Sequence, residues 1–517
     1  MTRSHVYITT TIPYVNARPH LGHALEFVQA DVLARHYRRR GNLVRFQTGT
    51  DDNSLKNVLA AETAGVRVQE FVDANAAAFV ALAGPLSLSA DDVIRTSSDP
   101  RHRAGVERLW RACADAGDLY RRHYEGLYCV GCEQFYKPDE LADGRCPEHG
   151  VRPQLVAEEN WFFRLSRYAG RLHDEIAAGR LRIEPTGRRN EVLAFIAAGL
   201  ADFSVSRSTA RAHGWGIPVP GDPGQVIYVW WDALGNYVTA LGYGTDEANL
   251  SRWWTGADRR IHVLGKGVLR FHAVYWPAIL ASAGLPLPTD ILVHDYLTVE
   301  GRKISKSGGT TVDPAALAAD YGTDAVRWWL LRDVPRIGDA DFTRERLVSR
   351  GNDELVNGIG NLVNRVLAMV RRYRGGLVPA GQGPAHGADA LADARRRAPA
   401  LTDAALAVGD FRQATAAVWV IAAEANRYVS QTAPWRLADA ERRGDRRAGQ
   451  QLDAVLAGLV STCRDLAGQL EPFLPDAAGR IAQRCGTPGG QVPGTEPVFA
   501  RLTRGPRPLA QAGATGT

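Results

Sequence analysis

At 517 residues and 56.2 kDa the chain is too long for one ordinary hydrophobic core, which implies two or three domains. Its 45% hydrophobic and 23% charged residues are those of a globular chain and exclude a fibrous or wholly disordered one. No apolar run approaches the roughly 18 residues needed to span a bilayer, and the N-terminus has no signal-peptide pattern, so a cytoplasmic protein is expected. A net charge of +6 admits a polyanionic partner without requiring one.

In chain order, Val6 to Ile12 is β-branched and aromatic and reads as a buried strand that stops at Pro13. A loop follows, then an amphipathic helix from about Ala24 to Arg39, then a strand from Leu43 to Thr50. Strand, loop, helix, strand is a βαβ unit, so a parallel sheet binding ligands at the carboxyl ends of its strands is expected. Residues 113–225 read as an insertion into that sheet, whose pattern resumes at Val226–Trp231, His262–Gly265 and Ile291–His294. Residues 351–490 show helical periodicity throughout and read as a bundle, and the Gly- and Pro-rich tail beyond 491 as disordered.

The six Cys, at 113, 129, 132, 146, 463 and 485, are too few and scattered for a secreted disulfide scaffold. Four positions form two knuckles, Cys129-Val-Gly-Cys132 and Cys146-Pro-Glu-His149, joined by a turn-rich segment. Such spacing brings four ligands to one ion and suits a structural Zn2+ within about 125–152, since no water-activating acid or open ligand position accompanies it. The other three thiols read as small buried apolar groups.

Only five of the 62 basic residues are Lys, and three of those five, Lys266, Lys303 and Lys306, fall in one short stretch. An ammonium is a compact point charge that a guanidinium does not replace, so Lys303-Ile-Ser305-Lys306-Ser, followed by two Gly, reads as a flexible loop that offsets phosphate charge. His20-Leu-Gly22-His23 stands where the first loop enters its helix, and alone it fits phosphate binding, a metal pair or a solvated turn.

Together and in order, these two loops resemble the signatures of class I aminoacyl-tRNA synthetases. Thr11 to Asn16, Thr48 to Asp51, Arg188 to Val192, Tyr228 to Leu234 and Phe271 to Trp276 resemble the methionyl-tRNA synthetase family in particular, over roughly residues 5–480. The resemblance implies an α/β protein: a Rossmann-like catalytic domain (1–112 and 226–300), an insertion with one zinc knuckle (113–225), a KISKS and stem-contact region (301–350) and a helical anticodon-binding domain (351–490). The implied substrates are L-methionine, ATP with Mg2+, and tRNA(Met), and the chain's end soon after the bundle leads to an expected monomer. Matched residue by residue, Ile12, Tyr14, Trp230, Ala233, Leu234, Tyr237, Val268, Phe271 and His272 line a methionine pocket and Asp51 holds the amino group. His20, Gly22, His23, Lys266, Lys303, Ser305 and Lys306 bind ATP, with His20, His23, Lys303 and Lys306 catalytic, and Asn361, Arg365 and Trp435 read the anticodon.

The chain departs from that pattern in four places. Ile304 stands for Met in the second signature, and Asp52-Asn53-Ser54 follow the Asp51 strand where Glu-His-Gly is common. Gly267 stands where an Asp is usual near the ribose, while Asp295 stands where Gly is usual, so Asp295 is expected to supply the missing ribose carboxylate. The competing reading is a synthetase-like ligase that adenylates an amino acid without charging tRNA.

Overall fold

The computed structural model describes all residues except 1–2, 130–133, 148–149, 305–310, 381–386, 493, 495 and 504–517. Two compact units emerge: Met1–Pro19, Tyr37–Ala83 and Ser89–His294 form the first, and His20–His36, Gly84–Leu88 and Asp295–Thr517 the second. No described helix is long and apolar enough to cross a membrane.

The first unit is built on strands β1 (His5–Thr9), β2 (Leu43–Thr50), β3 (Asp92–Arg95), β4 (Leu119–Cys129), β5 (Gln134–Tyr136), β6 (Gln154–Phe163), β7 (Arg182–Glu184), β8 (Phe203–Ser204), β9 (Arg259–Gly265) and β10 (Asp290–His294). Six of them make a parallel sheet in the order β3-β2-β1-β9-β10-β7. Its central strands are buried β-branched runs, as a sheet covered on both faces requires. The chain reverses direction of order beside β1, which puts the ligand-binding switch point at the carboxyl ends of β1 and β9. A separate antiparallel sheet, β5-β4-β6-β8, carries the insertion. The core is aromatic: Trp231, Trp254 and Trp276 are fully enclosed with Tyr7, Leu264 and Val274.

Helix α1 (Leu21–Arg39) joins β1 to β2, α2 is Pro100–Asp115 and α3 is Val229–Thr239. The last corrects the strand expected at Val226–Trp231. Asp222–Ile227 is a strand, but of a small antiparallel sheet outside the main one, and Val229 begins a helix. Every residue of α3 except Trp230 is buried, so its apolar run has no face to distinguish helix from strand. A second correction concerns the insertion, because β7 lies within 113–225 yet pairs with β10 at the edge of the main sheet.

The second unit is helical: α4 (Thr323–Arg332), a π-helical stretch Gly351–Gly360 running into α5 (Asn361–Arg374), α6 (Asp389–Ala407), α7 (Phe411–Thr432), α8 (Pro434–Arg442), α9 (Arg446–Leu470) and α10 (Pro475–Arg484). Among the described residues of this unit, Leu297–Val299, Arg302–Lys303 and Ala340–Phe342 form one small sheet. Described residues of the tail expected to be disordered are packed instead. Val492, Val498 and Phe499 are buried, and Asn352 exchanges two hydrogen bonds of 2.9 Å with the backbone of Leu502. Its few apolar residues cover helix surface that composition alone does not locate.

Candidate active site

In the first unit the proposed methionine residues converge. The loop after β1 is tied to the end of β2 by an Asp51 amide donating to the Pro13 carbonyl at 2.9 Å, which sets Tyr14 beside Asp51. Tyr14 meets Trp230 edge-on at 6.3 Å, Trp230 stacks on Phe271 at 3.7 Å, and Trp230 meets His272 edge-on at 6.4 Å. Trp230, Ala233, Leu234 and Tyr237 come from α3, while Phe271 and His272 sit in a π-helical turn, Phe271–Tyr275, after Val268. Such turns re-aim consecutive side chains and recur at functional sites. Ile12 lies against Gly49, where an added Cβ would stand 2.9 Å from the Ile12 methyl and 2.4 Å from the Ile94 carbonyl, so only Gly fits.

Hydrogen bonds fix the polar edge of this cage. The His272 Nδ1 lies 2.9 Å from the Val268 carbonyl, which only accepts, so that nitrogen carries the proton and Nε2 accepts from the Tyr237 hydroxyl at 2.7 Å. Tyr237 therefore gives its proton to His272.

His262 was not foreseen as a site residue. It lies buried on β9, its ring tilted against Tyr237 at 4.2 Å and 2.7 Å from the Thr9 hydroxyl through Nδ1, while its Nε2 has no hydrogen-bond partner among the described residues. Burial first, then the neighbouring His272 and Arg260, pushes its pKa well below 6.5. A lowered folded pKa means that below pH 6.5 the unfolded chain binds the proton that the folded one refuses. Stability is accordingly expected to fall as pH drops from 6.5, and less steeply in His262→Gln, measured by urea unfolding at stepped pH. Equal slopes would assign that pH dependence elsewhere.

The unusual Asp52-Asn53-Ser54 is accounted for locally. Asp52 is buried against Arg95 at 2.9 Å and Ser97 at 2.7 Å, and Ser54 caps the helix Leu55–Ala64 by accepting from the Lys56 amide. Asn53 donates to Asp232 at 2.7 Å and to the Thr96 carbonyl at 3.2 Å.

The nucleotide-side residues divide between the units. Gly265 on β9 pairs with His294 on β10, so the two strands that lead to Lys266-Gly267 and to Asp295 end side by side. In the second unit the His20 and His23 rings stack at 3.8 Å. The His23 Nδ1 accepts from the His20 amide and the His20 Nδ1 from the Gly22 amide, both at 3.1 Å. With Nδ1 accepting in each ring, the neutral proton sits on Nε2, which makes each imidazole a donor there. A Cβ at Gly22 would press on the His20 ring at 3.0 Å, so Gly keeps this turn tight. The Leu21 amide donates to the Val312 carbonyl at 3.0 Å, anchoring the far end of the Lys303 loop to the His20 turn. Lys303 pairs its backbone with Thr298, whereas Ser305 and Lys306 lie outside the described residues. Asp295 is buried and accepts from the Gly338 amide at 2.6 Å.

Of the four zinc positions, Cys132 and His149 lie outside the described residues. Cys129, ending β4, and Cys146 are buried in one small cluster with Tyr136. The Gly150 amide donates to the Cys146 carbonyl at 2.8 Å, bringing the chain back onto Cys146. This donor set fits a structural zinc. Cys113 instead points at the Ile279 carbonyl, its pKa pushed up to about 12 by burial, as befits an inert thiol.

In the helical bundle, α5 carries Asn361 and Arg365 one turn apart, and the Arg365 guanidinium lies 5.4 Å over the ring of Trp435 at the start of α8. Trp435 is 38% exposed, rare for so large a ring, and an exposed ring beside a cation suits stacking with an unpaired base.

Comparison with known proteins agrees. The sequence matches the family described as tRNA synthetases class I (M) over residues 6–154 and 131–367. It is 41% identical over 492 residues to a methionine--tRNA ligase of Thermosynechococcus vestitus, covering 93% of this chain and 90% of that one. With a Mesorhizobium japonicum methionine--tRNA ligase it shares 38% identity over 531 residues, 98% of this chain and 99% of the relative. The solved Mycobacterium tuberculosis methionyl-tRNA synthetase in complex with methionyl-adenylate is similar at a TM-score of 0.91 and 37% identity, covering 96% of this chain and 99% of that one. From its parallel sheet, its two signature loops and these relatives, the chain belongs to the methionyl branch of the class I tRNA synthetases.

Proposed function

We propose that the chain joins L-methionine to ATP, with Mg2+ on the phosphates, and passes the methionyl group to tRNA(Met), releasing AMP and diphosphate. The observation that carries this reading is the linked set of Tyr14, Trp230, Phe271, Tyr237 and His272, with Asp51 bridged to Tyr14, in a member of this family. An aromatic cage suits a polarizable thioether, and a buried carboxylate suits the ammonium group of the amino acid. The methionine carboxylate attacks the α-phosphorus and the bond to the bridging oxygen breaks, so diphosphate leaves with the electron pair. A ribose hydroxyl at the tRNA 3′ end then attacks the carbonyl carbon and AMP departs. His20 and His23 donate to phosphate oxygens, Lys266, Lys303, Ser305 and Lys306 offset the charge that develops on diphosphate, and Gly22 lets it approach. With the purified chain, pyrophosphate should exchange into ATP only when methionine is present; exchange independent of methionine would overturn the reading.

Asn361, Arg365 and Trp435 are the proposed anticodon readers, and one Zn2+ on Cys129, Cys132, Cys146 and His149 holds the insertion's knuckle. The working form is read as a cytoplasmic monomer, for which light scattering should give a mass near 56.2 kDa. Asp295 is proposed as the ribose carboxylate in place of Gly267, supported by the adjacent ends of β9 and β10. Asp295→Ala should then raise the ATP KM by about tenfold and the methionine KM little. An unchanged ATP KM would overturn that role.

A further inference from the structure

Behind Asp51 runs a buried polar chain that the reaction as described does not use. The Thr239 hydroxyl lies 2.8 Å from His102 Nδ1, and His102 Nε2 is bonded to Asp232 Oδ1. Asp232 Oδ2 accepts from the Asn53 side-chain amide at 2.7 Å, and the Asn53 backbone amide donates to Asp51 Oδ1 at 3.2 Å. His102, Thr239 and Asp232 are essentially inaccessible to solvent, at 0%, 0% and 1% exposure. A carboxylate only accepts, so Asp232 takes one proton from the imidazole and one from the amide, while the ring's other nitrogen faces the Thr239 hydroxyl. Donors and acceptors match from His102 to Asp51, a directional network that is costly to break where it is buried.

We propose that Asp232, anchored by His102, is a positioning residue that holds Asn53, and through it the Asp51 carboxylate, in the orientation that receives the methionine ammonium. The inference rests on the reading of Asp51 as the ammonium partner. Its logic is that of outer partners that orient a binding group. The Asn53 side chain is fixed at both Asp232 and the Thr96 carbonyl, so its backbone amide cannot swing away from Asp51. The Asp51 backbone is held independently, by the Pro13 carbonyl and by Asn57 donating to the Asp51 carbonyl, both at 2.9 Å. What the chain governs is therefore the carboxylate's rotation rather than its location. Asn53 occupies a position where the family commonly has His, and either side chain can present an N–H to Asp232.

The test uses methionine-dependent pyrophosphate exchange by the full chain, inhibited by methioninol, which has the ammonium but no carboxylate, or by 4-(methylthio)butanoate, which has the carboxylate but no ammonium. Asp232→Asn should raise the methionine KM and the methioninol inhibition constant about tenfold, leaving the ATP KM and the 4-(methylthio)butanoate constant within about twofold. Asn53→Ala should reproduce that split and serves if Asp232→Asn does not fold, and Asn53→His should restore wild-type values. Asp51→Asn in the same assay tests the underlying reading: if it weakens both inhibitors alike, Asp51 is not the ammonium partner. If Asp51→Asn discriminates while Asp232→Asn and Asn53→Ala weaken both inhibitors alike or neither, the positioning role is wrong.

Discussion

Arg327→Ala should destabilise the helical unit by about 3–5 kcal/mol, a large loss against a typical stability of ~5–15 kcal/mol. Arg327, on α4, is fully buried and paired at 2.8 Å with Asp31 on α1, also fully buried. Its remaining donors reach the carbonyls of Phe473 at 2.7 Å, Leu86 at 2.9 Å and Pro472 at 3.1 Å. One guanidinium thus ties α1, the 84–88 segment and the turn between α9 and α10. Truncation strands a buried carboxylate and three carbonyls at once, although Arg35, 2.9 Å from Asp31, keeps that charge partly paired. Burial pulls the Arg327 pKa down and Asp31 pulls it up, so the pair retains its charge through geometry rather than solvation. Arg327→Lys should recover only part of the loss, because an ammonium cannot fork to four acceptors. Asp31→Leu combined with Arg327→Met should lose less than Arg327→Ala alone, because no buried charge is left uncompensated. Urea unfolding followed by far-ultraviolet dichroism measures all three; a loss under about 1 kcal/mol for Arg327→Ala would mean the pair behaves like a surface bridge.

His23→Ala should lower kcat for adenylate formation by about 10²–10³-fold with the methionine KM nearly unchanged. The imidazole is preset: Nδ1 is occupied by the His20 amide, so its proton is on Nε2 before ATP arrives. A donor fixed in advance stabilises developing phosphate charge without reorganising during the step. His20 is held the same way by the Gly22 amide and stacks on His23, so the two variants should be less than additive. Rapid-quench measurement of adenylate formation checks this; an equal rise in methionine KM would point instead to disruption of the helix start.

The βαβ opening was legible because a β-branched run stops at Pro13 and an amphipathic one before Gly41, and β1, α1 and β2 lie within a few residues of where periodicity puts them. Val226–Trp231 was misread because an apolar run buried on all sides carries no period. Arg182–Glu184 escaped because three residues in a charged stretch give no strand signal, and only pairing with β10 makes them one. The residues of the methionine cage came from the family pattern, not from spacing. His102 had no sequence signal: it lies 130 residues from Asp232, and its role exists only through that contact. Asp232 stood inside a recognised motif, yet its neighbours Trp230 and Ala233 drew the assignment. Asn53 was visible as a departure, but what it bonds to is a tertiary fact.

One chain both activates methionine and delivers it to tRNA. Charging of a CAU-anticodon tRNA with labelled methionine by the purified chain tests it most directly, with Trp435→Ala run in parallel. The expected result is methionylated tRNA from the wild type, and in Trp435→Ala at least a tenfold loss of charging with pyrophosphate exchange intact. Methionine-dependent exchange without any methionylated tRNA from the wild type would contradict it.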